Sequence, residues 1–175
     1  MGIYKQINMD LEELNNLPDE EAKAAMAKCC GSTLWLDKML KKRPFATEDE
    51  LYAAATDIWF ACTRIDWQEA FAHHPKIGDQ SNPENKFSAT SRWAGEEQAS
   101  IASARKETLD KFVLMNQKYE KRFGYIFIVY ATGKSAEEML EIVELRLKNN
   151  PYDEIKIAAS EQNRITKLRL KKLLS

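Results

Sequence analysis

Only one stretch of this chain has the composition of a strand, and nothing else is fit to pair with it. Tyr125-Ile126-Phe127-Ile128-Val129-Tyr130 is aromatic and β-branched throughout, the residue types that suit a pleated surface. A strand must satisfy its backbone N–H and C=O groups on a neighbour. With no second run of this quality, the segment is predicted to be a buried extended connector. The rest of the secondary structure must then be helical.

Helix punctuation agrees with that reading. Asp10 can cap a short helix through Leu14. Pro18 with Asp19-Glu20-Glu21 opens the next helix, and Gly31 closes it after Cys29-Cys30. Proline and acid at the start with glycine past the end match the polarity of a helix. Ser32 caps a segment through Lys42, stopped by Pro44. Thr47 and Glu50 form a capping-box pattern, followed by Leu51, Ala54, Ala55, Ile58, Trp59 and Cys62 on one face. Asp66 starts a short helix that runs out at Pro75, because the residue before proline is pushed out of the α region. Residues 78–92 form the longest polar, turn-rich stretch. Helix resumes near Trp93 and runs to Arg122, with Gly124 as its C-terminal cap. Ser135 and Glu138 open a helix to about Lys148, and Asn149-Asn150-Pro151 breaks it. A final helix, about Tyr152 to Leu174, carries Ile155, Ala158, Gln162, Ile165, Leu168 and Leu173 near one face. The expected fold is all-α, a multi-helix bundle in one domain over residues 1–175.

Charge and cysteine content exclude several function classes. There are 26 basic and 27 acidic side chains, interleaved along the chain, whereas a nucleic-acid reader needs a basic face. The basic run from Lys167 to Lys172 suits the last turns of a helix, where cations oppose the macrodipole. Apolar residues make up 44% and charged residues 30%, a composition that folds rather than stays disordered. No apolar stretch nears the roughly 20 residues of a membrane span, and no signal-peptide pattern is present, so no membrane partner and a cytoplasmic location are expected. The three cysteines, Cys29, Cys30 and Cys62, lack disulfide-type spacing and point to a reducing compartment.

The inventory of chemical groups is short. His73 and His74 are the two histidines; adjacent side chains at a helix end diverge, and no second cluster has metal-ligand spacing. Cys29-Cys30 is no Cys-x-x-Cys pair and reads as two small core residues. Phosphate-cradling glycine loops and nucleophile elbows are absent. What remains is a histidine for proton transfer, a carboxylate and a guanidinium. On spacing alone, a lone histidine at a helix end is more often a cap or a surface residue than a catalyst. By the same standard, Glu97 reads as an acid complementing a helix start, and Arg169 as an edge residue laying its stem over the core.

Taken together, the motifs resemble a known family, the 2-oxo-4-hydroxy-4-carboxy-5-ureidoimidazoline (OHCU) decarboxylases of the route from urate to allantoin. His74-Pro75-Lys76-Ile77-Gly78-Asp79 looks like that family's His-Pro-basic-aliphatic-Gly-Asp signature. Cys30-Gly31-Ser32 with Trp35, then Arg43-Pro44-Phe45, resemble its N-terminal part. Glu97-Gln98, Asn116, Tyr119, Arg122-Phe123-Gly124-Tyr125, Gly133-Lys134-Ser135 and the run Arg164 to Leu170 continue the pattern in order. The resemblance implies a helical bundle without a cofactor, acting as a homodimer on a small ureidoimidazoline. It implies catalytic roles for His74 and Glu97. Substrate contacts are implied for Pro75, Gln98, Arg169 and the segment Tyr125, Ile126, Phe127 and Ile128, the last through backbone amides. Two positions depart from the pattern: Ala94, where family members often carry serine, and Ile126, where proline often stands. Ala94 keeps open a related enzyme acting on another ureide. A helical interaction domain without chemistry is the alternative from a different class.

Overall fold

The computed structural model describes residues 9–75 and 105–175. Among them are eight helices and no strand: α1 (Leu11–Asn16), α2 (Asp19–Ala27), α3 (Thr33–Lys42), α4 (Glu48–Phe60), α5 (Arg64–Ala72), α6 (Lys106–Phe123), α7 (Ala136–Arg146) and α8 (Pro151–Leu173). The turn-rich stretch expected at 78–92 and the helix start near Trp93 lie outside the described residues.

Local signals place most helix ends. Asp10 and Glu13 form a capping box on α1, and Ser135 and Glu138 form one on α7. Thr47 accepts from the Glu50 N–H, and Asn150 accepts from the Asp153 N–H, with Pro151 opening α8. Gly124 ends α6 at φ 83°, a left-handed geometry that costs glycine nothing. Several boundaries differ from the sequence reading: α1 runs on to Asn16 rather than Leu14, α5 ends at Ala72 before Pro75, and two further cases have a visible cause. Helix α5 begins at Arg64 rather than Asp66, because the Asp66 carboxylate reaches back to accept from both the N–H and the hydroxyl of Thr63, at 2.8 and 2.7 Å. Helix α2 stops at Ala27, short of Cys29-Cys30. The Met26 carbonyl accepts from both cysteine N–H groups, and the resulting turn buries both thiols.

Helix α3 packs against α2, α4 and α5, while α8 lies against α4 and α5, and α6 runs along α7. Tryptophans stitch these layers, since a buried indole N–H needs an acceptor. Trp35 donates to the Ala55 carbonyl at 3.0 Å, Trp59 to the Ala159 carbonyl at 2.8 Å, and Trp67 to the Trp59 carbonyl at 2.9 Å. Arg43 donates to the carbonyls of Leu14 and Leu17, which α1 leaves without intrahelical partners. Its peptide bond to Pro44 is cis, and the Asn15 amide clamps both the N–H and the C=O of Phe45.

Residues 126–130 belong to no helix, and among the described residues no strand pairs with them. Side chains bond to two of the segment's backbone groups. Arg146 Nη1 donates to the Ile128 carbonyl at 2.6 Å, and the Tyr130 N–H donates to Glu161 at 2.6 Å. Arg146 is itself held by the fully buried Glu154, with Nε to Oε1 at 2.7 Å. Tyr119 donates to the same carboxylate oxygen, and Asn149 donates to the other at 2.8 Å. The Arg146 guanidinium also lies over the Phe127 ring, 4.7 Å from its centroid.

Removing one member of such a pair strands a buried charge. Glu154→Leu is expected to lower unfolding free energy by about 3–5 kcal/mol in urea denaturation. The double variant Arg146→Met, Glu154→Leu should recover most of that loss. Its amides at 126–130 should nonetheless exchange hydrogen faster than in the parent, because the Ile128 carbonyl loses its donor. Equal losses in single and double variants would contradict this.

Candidate active site

The polypeptide leaves α5 at His73, whose N–H donates to the Ala70 carbonyl, while the His74 N–H donates to that of Phe71, each at 3.2 Å. The two histidine rings diverge, as adjacency requires. His73 Nδ1 turns back to the Glu69 carbonyl at 2.9 Å. His74 turns inward, and its Nε2 lies 2.5 Å from Oε1 of Gln162, 88 residues on. Helix α5 is anchored by Glu69, whose carboxylate accepts from the N–H and hydroxyl of Thr33 at the start of α3. Gly31 fits flush against the His73 side chain: a Cβ there would stand 2.7 Å from His73 Cβ and 2.4 Å from Cγ. The Cys30-Gly31-Ser32 motif therefore has a local purpose at each residue. The Cys30 thiol meets Thr166, Gly31 admits His73, and Ser32 caps α3.

Helix α8 supplies the opposite wall. Gln162, Thr166 and Arg169 share one face at helical spacing and are 1%, 3% and 4% exposed. Gln162 Nε2 is 3.0 Å from Thr166 Oγ1. Arg169 is thus interior, not the edge residue that spacing alone suggests. Its charge acts on His74 and on both Cys29 and Cys30. Burial first, and the Arg169 guanidinium second, push the His74 imidazole down to about 3, although Gln162 opposes the shift. The ring is therefore neutral at physiological pH. Burial likewise pushes the Cys30 thiol up to about 12 and raises Cys29 and Cys62, so all three cysteines are inert core residues.

The remaining expected site residues divide in two. Tyr125, Phe127 and Ile128 are buried, whereas Ile126 and Pro75 are half-buried. The Tyr125 ring lies 5.2 Å from that of Phe71, three residues before His74. This contact ties the extended segment to the end of α5. Glu97 and Gln98, with Ala94 and Lys76 to Asp79, lie outside the described residues. Sequence reasoning missed Gln162 and Thr166 as site residues. The signal was available: Gln162 occupies the apolar stripe of Ile155, Ala158 and Ile165, where a polar side chain is buried only if something bonds to it.

Two measurements test this geometry. The His74 ring should keep neutral-imidazole shifts in NMR titration from pH 8 to about pH 4.5. An unfolded histidine takes up its proton near pH 6.5, so between there and about 3 the unfolded chain binds a proton that the folded chain refuses. Stability is then lost as pH falls below about 6.5, with a slope approaching about 1.4 kcal/mol per pH unit from this group. His74→Asn should remove that part of the slope, and a His74 midpoint near 6.5 in the folded protein would refute the account. Separately, Gly31→Ala should cost about 1–3 kcal/mol by overpacking and displace the His74 ring resonances. Wild-type stability with unmoved resonances would show that the close approach to His73 has no consequence.

Comparison with known proteins places the architecture. The chain is 37% identical over 148 residues to the uric acid degradation bifunctional protein TTL of Arabidopsis thaliana, covering 84% of this chain and 45% of that protein. It thus spans under half the length of that relative. It is 23% identical to the 2-oxo-4-hydroxy-4-carboxy-5-ureidoimidazoline decarboxylase of Haloferax volcanii, covering 93% of this chain and 94% of the relative. A solved structure of an OHCU decarboxylase, determined in the presence of (S)-allantoin, superposes with a TM-score of 0.73 at 34% identity, over 90% of this chain and 99% of the other. The OHCU decarboxylase family model matches residues 15–171, and the chain belongs to that family.

Proposed function

We propose that this chain decarboxylates 2-oxo-4-hydroxy-4-carboxy-5-ureidoimidazoline to (S)-allantoin in urate catabolism, without a cofactor. The observation that carries the proposal is the meeting of His74 with the buried face of α8. A neutral imidazole and a guanidinium are brought within each other's field in the interior of a family member. A guanidinium in the interior attracts an anionic ligand strongly, because little solvent screens it.

The reaction breaks the bond between a ring carbon and its carboxylate. Carbon dioxide leaves, and the bonding pair moves toward the adjacent ring imine. The imine nitrogen takes a proton as its π pair is displaced. The enol so formed loses its hydroxyl proton and gains one at the carbon bearing the ureido group, so the ring carbonyl forms with a net uptake of one proton. The protein must hold the carboxylate out of the ring plane, offer donors where charge collects and deliver the proton to one face. His74 contacts the carboxylate end, and Arg169 anchors an anionic or carbonyl oxygen. An anion beside His74 raises its proton affinity from the low value of the empty site, so the ring gains a proton when substrate arrives and can return it later. Glu97 accepts from ring or ureido N–H groups, with Gln98 and Pro75 completing the contacts. Backbone amides of Tyr125, Ile126, Phe127 and Ile128 face the ring oxygens, in a segment stiffened by Arg146. The same reading takes the chain as one domain that acts as a cytoplasmic homodimer.

Coupled to urate oxidase and hydroxyisourate hydrolase, the purified protein should accelerate the appearance of optically active allantoin, followed by circular dichroism. His74→Asn and Glu97→Gln should each lower kcat/KM by about 10²-fold or more while remaining folded. No acceleration over spontaneous decay would defeat the activity. Full rates in both variants would defeat the residue assignment alone.

A further inference from the structure

The His74–Gln162 contact is the first link of a buried polar chain that continues through Thr166 to Cys30. Proton counting sets the direction of that chain. Sulfur is a poor donor, and Thr166 and the Ser32 N–H both act on Cys30 as donors to it, which agrees with the direction of the Gln162 contact. Thr166 Oγ1 is then free to accept, and the Gln162 amide nitrogen donates to it at 3.0 Å. This orientation leaves Gln162 Oε1 toward His74, and an amide oxygen can only accept. The proton of the neutral ring therefore resides on Nε2.

We propose that Gln162 and Thr166 are positioning residues that hold His74 as its Nε2–H tautomer and so dedicate Nδ1, the nitrogen directed away from Gln162, to proton exchange with the ligand. The inference rests on the decarboxylase reading for its catalytic meaning, and on the Gln162 contacts with His74 and Thr166 for the tautomer. Gln162 Oε1 accepts from Nε2 whether the ring is neutral or cationic. The imidazole thus keeps its orientation while Nδ1 gains and loses a proton. With the amide reversed, its N–H would need the Nε2 lone pair, and ring protonation there would break the contact. Gln162 and Thr166 are spaced four apart on α8, both buried, so the pair moves with the helix as a unit. His73 provides an internal contrast. Its Nδ1 faces the Glu69 carbonyl, which can only accept, so His73 takes the opposite tautomer.

The test is long-range ¹H–¹⁵N correlation on ligand-free, histidine-labelled protein, with His74 assigned from His74→Asn. The expected spectrum contains two opposite tautomers, Nε2–H for His74 and Nδ1–H for His73. Thr166→Val should give His74 a mixture of tautomers and lower kcat/KM by about tenfold, the worth of roughly one hydrogen bond; Thr166→Ser should restore both. A wild-type His74 carrying its proton on Nδ1 would overturn the proposal. So would a folded Thr166→Val that keeps the tautomer and the full rate. The spectrum needs no substrate. Loss of the decarboxylase reading would leave the tautomer standing, while a reversed tautomer in an active enzyme would overturn this proposal and leave that reading intact.

Discussion

The buried pair of Arg146 and Glu154 is the contact on which the arrangement of this bundle turns. A fully buried carboxylate is tolerable only when every lone pair is answered. Here Arg146, Tyr119 and Asn149 all donate to it. Those three residues come from α6, α7 and the connection beyond α7, and Glu154 is in the first turn of α8. One carboxylate therefore joins three helices. Arg146 then spends a remaining donor on the Ile128 carbonyl. That bond fastens the aromatic segment to the interior at its backbone. The packing of Phe127 and Tyr119 under the guanidinium completes the attachment.

The same helix α8 carries a second polar register, one turn after another, at Gln162, Thr166 and Arg169. Its partners come from the opposite end of the chain: His74 at the end of α5, and Cys30 in the turn before α3. The electrostatic outcome is a histidine that stays neutral because it is enclosed and because a guanidinium shares its surroundings. A neutral imidazole has one proton and one lone pair, so its chemistry depends on which nitrogen holds which. The surrounding polar groups decide that, through a chain of contacts that ends on sulfur. Buried thiols, which spacing marked only as core, thus have a polar use as well.

Legibility in the sequence followed the range of the interaction. The side-chain caps at Asp10, Thr47 and Ser135, proline at the start of α8 and glycine at the end of α6 are contacts within four residues, and all were readable, although the Glu50 carboxylate reaches the Ala46 N–H rather than closing a box on Thr47. The missed boundaries are instructive. Asp66 looked like a cap and is the residue reaching back to one, since a carboxylate serves either position. Helix α2 ended early because two thiols were needed in the interior, a demand made by other helices. Arg169 was assigned to an edge because one helix alone cannot reveal what covers its flank. Glu154 and Gln162 were passed over for the same reason: their partners lie on other segments, 88 residues away in the case of Gln162.

By itself, then, the sequence determined that this chain is helical, where most helices begin and end, and that its one strand-like segment would have to run unpaired. Those properties are local, governed by backbone dihedrals, caps and side-chain period. Tertiary structure alone decided that Arg169 is interior, that the extended segment hangs from Arg146, and that His74 meets Gln162 and so has its two nitrogens told apart. Each depends on a buried polar group finding a partner across the fold, and desolvation makes such pairings strong only after distant segments have closed over them.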